Sequence, residues 1–148
     1  MKNYTEQEIS KLQDCLQLIR QAGGWSAEEF GEMIGVTKQT ISNLENKKTI
    51  MSKTQYIAIR AVLDWEVAER KNDSLLASTV DLCLNNENIS QDDKLKAQAF
   101  VSGAKKTGLD NAAIAAGLAA LVGFTAATTP VFLPVSALWL SKIIKERK

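Results

Sequence analysis

Apolar residues recur three and four positions apart through most of the chain, and nowhere do they alternate over the length of a strand. That period places them on one stripe of a helix, so the expected class is all-α. Ile9, Leu12, Leu16 and Ile19 form the first stripe, on a helix over residues 6–21 opened by Thr5 with Glu8 and ended by Gly23 and Gly24. Phe30, Met33, Ile34, Val36, Ile41 and Leu44 come next, interrupted at Gly35, where a left-handed turn costs least. Tyr56, Ile59, Val62 and Leu63 make a third apolar face.

The starts of these helices carry their own signals. Ser26 with Glu29 is a capping box, and Trp25 with Phe30 stands at the two positions of a hydrophobic staple around it. Thr37 can cap a helix running from Lys38 to about Asn46, and Ser52 with Gln55 opens the next. Four short helices then enclose a core that includes Leu16, Ile19, Phe30, Ile34, Ile41, Leu44, Ile59 and Leu63.

The outer face of the helix at 38–46 is unusual. A helix used only for packing shows charges outward, whereas one that reads base edges shows Lys, Gln, Asn, Ser and Thr. With Gly-Val-Thr at 35–37, Gln-x-Ile-Ser at 39–42 and Leu-Glu-Asn-x-Lys at 44–48, residues 6–66 resemble the Xre/Cro/C1 group of phage-repressor-like DNA-binding domains. The resemblance implies a four- or five-helix repressor-like domain over residues 1–71. It places Lys38, Gln39, Ser42 and Asn43 toward the major groove. It places Thr37, Thr40, Lys47 and Lys48 at phosphate contacts. Two positions depart from the pattern: Gly31 stands where a small residue, usually Ala, lets the helices approach, and Lys47 replaces a frequent Gly.

Charge refines this picture. Over the 148 residues the net charge is only +1, which excludes a generally basic nucleic-acid coat. Between Lys38 and Arg60, however, Lys38, Lys47, Lys48, Lys53 and Arg60 face Glu45 alone. Such a local patch suits phosphate contact, with Lys53 joining the DNA-binding set. The bland alternative is an ordinary solvated charge run. His is absent, and Cys15 and Cys83 lack metal-ligand spacing, so they read as small buried hydrophobes and no metal or cofactor is expected. Ser102 and Lys105 form a bare Ser-x-x-Lys, too short a pattern to carry catalysis, and the chain is not expected to be an enzyme.

The second half is less explicit. Residues 67–89 read as a continuing polar helix. Ser90 with Asp93 opens an amphipathic one to about Lys106, broken at Thr107 and Gly108, so residues 72–108 read as a helical linker. Residues 111–141 then carry no charged side chain, and Lys142, Lys145, Arg147 and Lys148 come after them. Within 109–148 an apolar helical hairpin turning near 128–134 would keep both basic flanks on the cytosolic side of a membrane. Ala113, Gly117, Ala120 and Ala127 would permit close helix contact there. The same segment could instead form a soluble core by dimerisation, or bind a partner protein.

The expected function is a DNA-binding transcriptional regulator, acting as a dimer on an inverted repeat in double-stranded DNA; repression is what the resemblance adds. The expected location is the cytoplasm, with membrane tethering as the variant that 111–141 leaves open. The rival from another class is an antitoxin or immunity-type factor that uses the helix-turn-helix for protein contact.

Overall fold

The computed structural model describes residues 3–70, 74–85, 90–122, 140, 143 and 144. Among them there are helices and no strands: α1 (Tyr4–Asp14), α2 (Leu16–Gly23), α3 (Ala27–Ile34), α4 (Lys38–Glu45), α5 (Lys53–Glu69), α6 (Ser74–Val80), α7 (Gln91–Lys106) and α8 (Asn111–Val122). A π-helical turn, Asp81–Asn85, continues α6.

The first expected helix is two helices. Cys15, at φ −104° and ψ 6°, closes α1 and opens α2, and its N–H is shared between the carbonyls of Lys11 and Leu12. Tertiary contact accounts for the break, since α1 packs on the π turn while α2 packs on α6 and α7. The start also differs from the expected Thr5 and Glu8: Asn3 caps α1, accepting from the Glu6 N–H at 2.8 Å, and Glu6 returns the bond. Thr5 and Glu8 are instead buried.

Elsewhere the local signals hold. Ser26–Glu29, Ser52–Gln55 and Ser90–Asp93 are reciprocal capping boxes, each satisfying two backbone N–H groups that a helix start leaves without partners. The Trp25 and Phe30 rings stack with centroids 5.3 Å apart, closing the staple. Gly35 ends α3 at φ 94°. Of the expected core, Leu16, Ile19, Phe30, Ile41, Leu44, Ile59 and Leu63 are buried, and Ile34 is partly buried against them.

Residues 72–108, read as a linker from the pattern, carry much of the remaining core. Leu75 through Val80 are buried without interruption, because α6 lies against both α2 and α8. Leu82, Cys83 and Leu84 of the π turn and Ala97, Val101 and Ala104 of α7 extend the same apolar cluster. The reading of 67–89 as one polar helix therefore fails: α5 ends at Glu69, and α6 beyond it is buried on all sides.

α8 adds Ile114, Ala115 and Leu118 to this core. A Cβ on its Gly117 would run into the Phe100 ring, whereas Ala113 and Ala120 are exposed, so only part of the small-residue stripe meets a neighbour. Among the described residues no helix is long and apolar enough to cross a membrane. The expected hairpin turn at 128–134 and Ala127 lie outside the described residues.

Candidate nucleic-acid interface

The site begins with a close approach of backbones. The Gly31 carbonyl accepts from the N–H groups of both Gly35 and Val36 at 2.8 Å, folding the turn back onto α3. A Cβ at residue 31 would lie 2.7 Å from the Val36 carbonyl oxygen, so Gly31 is more than a tolerated stand-in for Ala: an added methyl would force backbone to move. That approach sets α4 against α3.

Thr37 then caps α4, accepting from the Thr40 N–H at 3.1 Å, with the two hydroxyl oxygens 3.0 Å apart. Ile41 and Leu44 face the core, which leaves Lys38, Gln39, Ser42 and Asn43 along the outer side. Gln39 Nε2 donates to Asn43 Oδ1 at 2.9 Å, one helical turn on, and Asn46 Nδ2 donates to Ser42 Oγ at 3.3 Å. The polar groups expected at base edges are thus gathered on one face, joined in pairs.

Glu45, the single acid in this stretch, is turned inward. Its two carboxylate oxygens take Arg20 Nε at 2.5 Å and Arg20 Nη2 at 3.1 Å, and Arg20 Nη1 also holds the Trp25 carbonyl at 2.9 Å. This fork-to-fork pair fixes α4 to α2 and neutralises the negative charge beside the outer face. Sequence reasoning missed Arg20, which is separated from Glu45 by 25 residues and announced by no local pattern.

Gln13 was missed for the same reason. Its buried Nε2 donates to the carbonyls of Leu44 at 2.9 Å and Thr49 at 2.7 Å, and its Oε1 accepts from the Met51 N–H at 2.9 Å. One side chain on α1 therefore ties down both ends of the loop between α4 and α5. Within that loop Lys47 has φ 59°, the left-handed geometry that explains the frequent Gly at this position. Its ammonium lies 2.5 Å from Asp14 Oδ1, while Lys94 of α7 lies 3.7 Å from Asp14 Oδ2.

The basic patch is smaller than the sequence suggests. Arg60 is buried in α5, donating to the Tyr56 hydroxyl at 2.7 Å and lying 3.7 Å from Glu8, so it does not join the surface charges. Lys38, Lys48 and Lys53 are exposed, and none forms an ion pair among the described residues. Of the Ser102 and Lys105 pattern, Lys105 Nζ is held by Asn111 Oδ1 at 3.0 Å, where α7 meets α8.

Residues 16–69 match the family model described as helix-turn-helix. They form a helix-turn-helix domain. The recognised stretch runs from α2 through α5 and so includes the Gly35 turn and the outer face of α4. Two curated proteins align with part of the chain, both called Antitoxin HipB. The one from Escherichia coli O6:H1 (strain CFT073) is 34% identical over 55 residues, which cover 37% of this chain and 58% of that protein. The one from Escherichia coli K12 is 33% identical over 55 residues, covering 37% of this chain and 62% of that protein. The chain thus spans about three fifths of the length of the curated relatives it matches. No solved structure matches the chain significantly.

Proposed function

We propose that the chain is a sequence-specific DNA-binding transcriptional regulator, a repressor that binds an inverted repeat as a dimer and occludes a promoter. The observation that carries this reading is the Gln39–Asn43 pair, presented on a helix whose only acid is neutralised by Arg20. A side-chain amide offers an acceptor and a donor in the arrangement that adenine presents in reverse at its N6 and N7 edge. Gln39 uses one N–H on Asn43, and Asn43 Oδ1 keeps a second lone pair for a base. Gln39 would then act partly by aiming Asn43.

Lys38, Lys48 and Lys53 supply the phosphate charge in this reading, while Thr37 and Thr40 bring the α4 start and its N–H groups toward the backbone. Lys47 contributes mainly through its loop conformation, since Asp14 holds its ammonium. A DNA-binding role locates the chain in the cytoplasm. Selection of bound sequences from random duplexes, and then titration of the recovered site over a range of salt, tests the reading. An inverted repeat with a steep salt dependence is expected; equal affinity for all duplexes would refute it.

A second reading has support from the relatives' name. As an antitoxin, the chain would bind and neutralise a partner protein. The exposed lysines, without acidic partners among the described residues, favour DNA over protein as the contact of α4, so the partner would be met elsewhere on the chain. Co-purification of a partner protein with the wild-type chain and with a Gln39→Ala variant separates the two contacts.

A further inference from the structure

Two side chains beside the DNA-facing loop stand where their own backbone disfavours them. Asp14 is the last residue of α1, where the free carbonyls of a helix end repel a carboxylate. Lys47 holds φ 59°, a backbone that a residue with a Cβ enters only at a cost. The two meet: the Lys47 ammonium lies 2.5 Å from Asp14 Oδ1, and Lys94 of α7 lies 3.7 Å from Asp14 Oδ2. The Lys47 side chain is 57% exposed, so the ion pair rather than packing turns it back toward α1. We propose that Asp14 is a positioning residue that limits DNA affinity: it withholds Lys47 from the phosphate backbone, so the chain binds every duplex more weakly than its lysines allow. The proposal rests on the DNA-binding reading and assigns that interface a built-in restraint.

The restraint comes from flanking sequence, since Asp14 precedes the matched stretch at 16–69 and Lys94 follows it. Gln13, next to Asp14, holds the Leu44 and Thr49 carbonyls and the Met51 N–H, which keeps the end of α1 in register with the loop. The Asp14 side chain is 23% exposed and that of Lys94 15%, so the carboxylate is partly shielded from water and engaged from both sides. Asp14 and Lys47 also line a groove of about 490 Å³ between α1 and the loop, which leaves the lysine room to swing outward once the carboxylate is neutral. Freed, its ammonium would add one phosphate contact beside Lys48. Each such contact releases condensed counterion, steepens the salt dependence by about one unit and changes affinity at fixed salt by roughly three- to tenfold.

The test titrates the full chain with a random-sequence duplex over a range of salt, so it depends on no operator. Asp14→Asn should bind about three- to tenfold tighter, with a slope steeper by about one unit. Adding Lys47→Ala to that variant should return the slope to the wild-type value. A second measurement needs no variant: acetylation of the free and DNA-bound chain by an amine-reactive ester, read by peptide mass. DNA should shield Lys48 in the wild type and leave Lys47 as reactive as before; in Asp14→Asn it should shield Lys47 too. Shielding of Lys47 in the wild-type complex overturns the proposal, as does a steep slope in Asp14→Asn that survives Lys47→Ala. Binding by wild type and Asp14→Asn with equal slopes removes this proposal alone, whereas no binding by either removes the DNA-binding reading with it.

Discussion

Gln39 Nε2 donates to Asn43 Oδ1 at 2.9 Å on the exposed face of α4. If the two amides act as one reading unit, their substitutions should not add. Gln39→Ala should cost about 1–3 kcal/mol on the cognate site and relax preference at one base pair. The double variant with Asn43→Ala should cost clearly less than the sum of the two single losses. Titration of all four proteins against cognate and random duplexes measures this. Equal loss on both DNAs would remove Gln39 from base reading.

Lys48 and Lys47 are neighbours with different prospects. Lys48 is exposed without an acidic partner among the described residues, whereas Lys47 meets Asp14. Lys48→Ala should weaken binding to all sequences alike and lower the salt slope by about one unit. Lys47→Ala should change the slope by much less. Equal slopes for the two variants would mean that Asp14 releases Lys47 when DNA binds.

The left-handed backbone at Lys47 has a measurable cost. Lys47→Gly and Lys47→Val both remove the Asp14 contact, so their difference isolates the backbone. Gly enters this region freely, while a β-branched residue crowds its own carbonyl, and Val should be less stable than Gly by about 1–2 kcal/mol. Urea unfolding of the two variants gives the difference. Indistinguishable midpoints would show that the loop rearranges around residue 47.

Gln13 serves three backbone groups at once. Gln13→Leu keeps bulk but abandons the carbonyls of Leu44 and Thr49 and the N–H of Met51. Buried polar groups left unpaired cost about 1–3 kcal/mol each, and partial access of water to the loop brings the expected total loss to about 2–4 kcal/mol. Faster amide exchange at Met51, with α2 protection retained, would localise the damage; unchanged exchange there would contradict the assignment.

The parts of this fold that were legible in the sequence are those fixed within one or two helical turns. Ser26 with Glu29, Thr37 before Lys38, Gly35 between α3 and α4, and Ser90 with Asp93 all act over three or four residues, and each stands where its pattern places it. The features that escaped depend on distant partners. No local pattern reports that Arg20 will neutralise Glu45, that Gln13 will reach three loop groups, or that Arg60 will turn inward toward Glu8 and Tyr56. The break at Cys15 has the same origin, since neither Pro nor Gly marks it. Residues 75–84 misled for another reason: Ser78, Thr79 and Asp81 made the segment look solvated, yet Thr79 Oγ1 satisfies itself on the Leu75 carbonyl at 2.8 Å and is fully buried.

The stretch that matches the helix-turn-helix family model stops at residue 69, but the hydrophobic contact surface of that stretch does not. α2 lies inside the recognised domain and rests on α6 and α7, and Gln98 Nε2 donates to Gln21 Oε1 across that junction at 2.5 Å. Transplanting residues 16–69 into another chain would carry over a bare apolar side where the donor supplied Leu75, Leu76 and Val101. The unit that inheritance reuses is therefore smaller than the unit that folds here, and later residues have become part of its foundation.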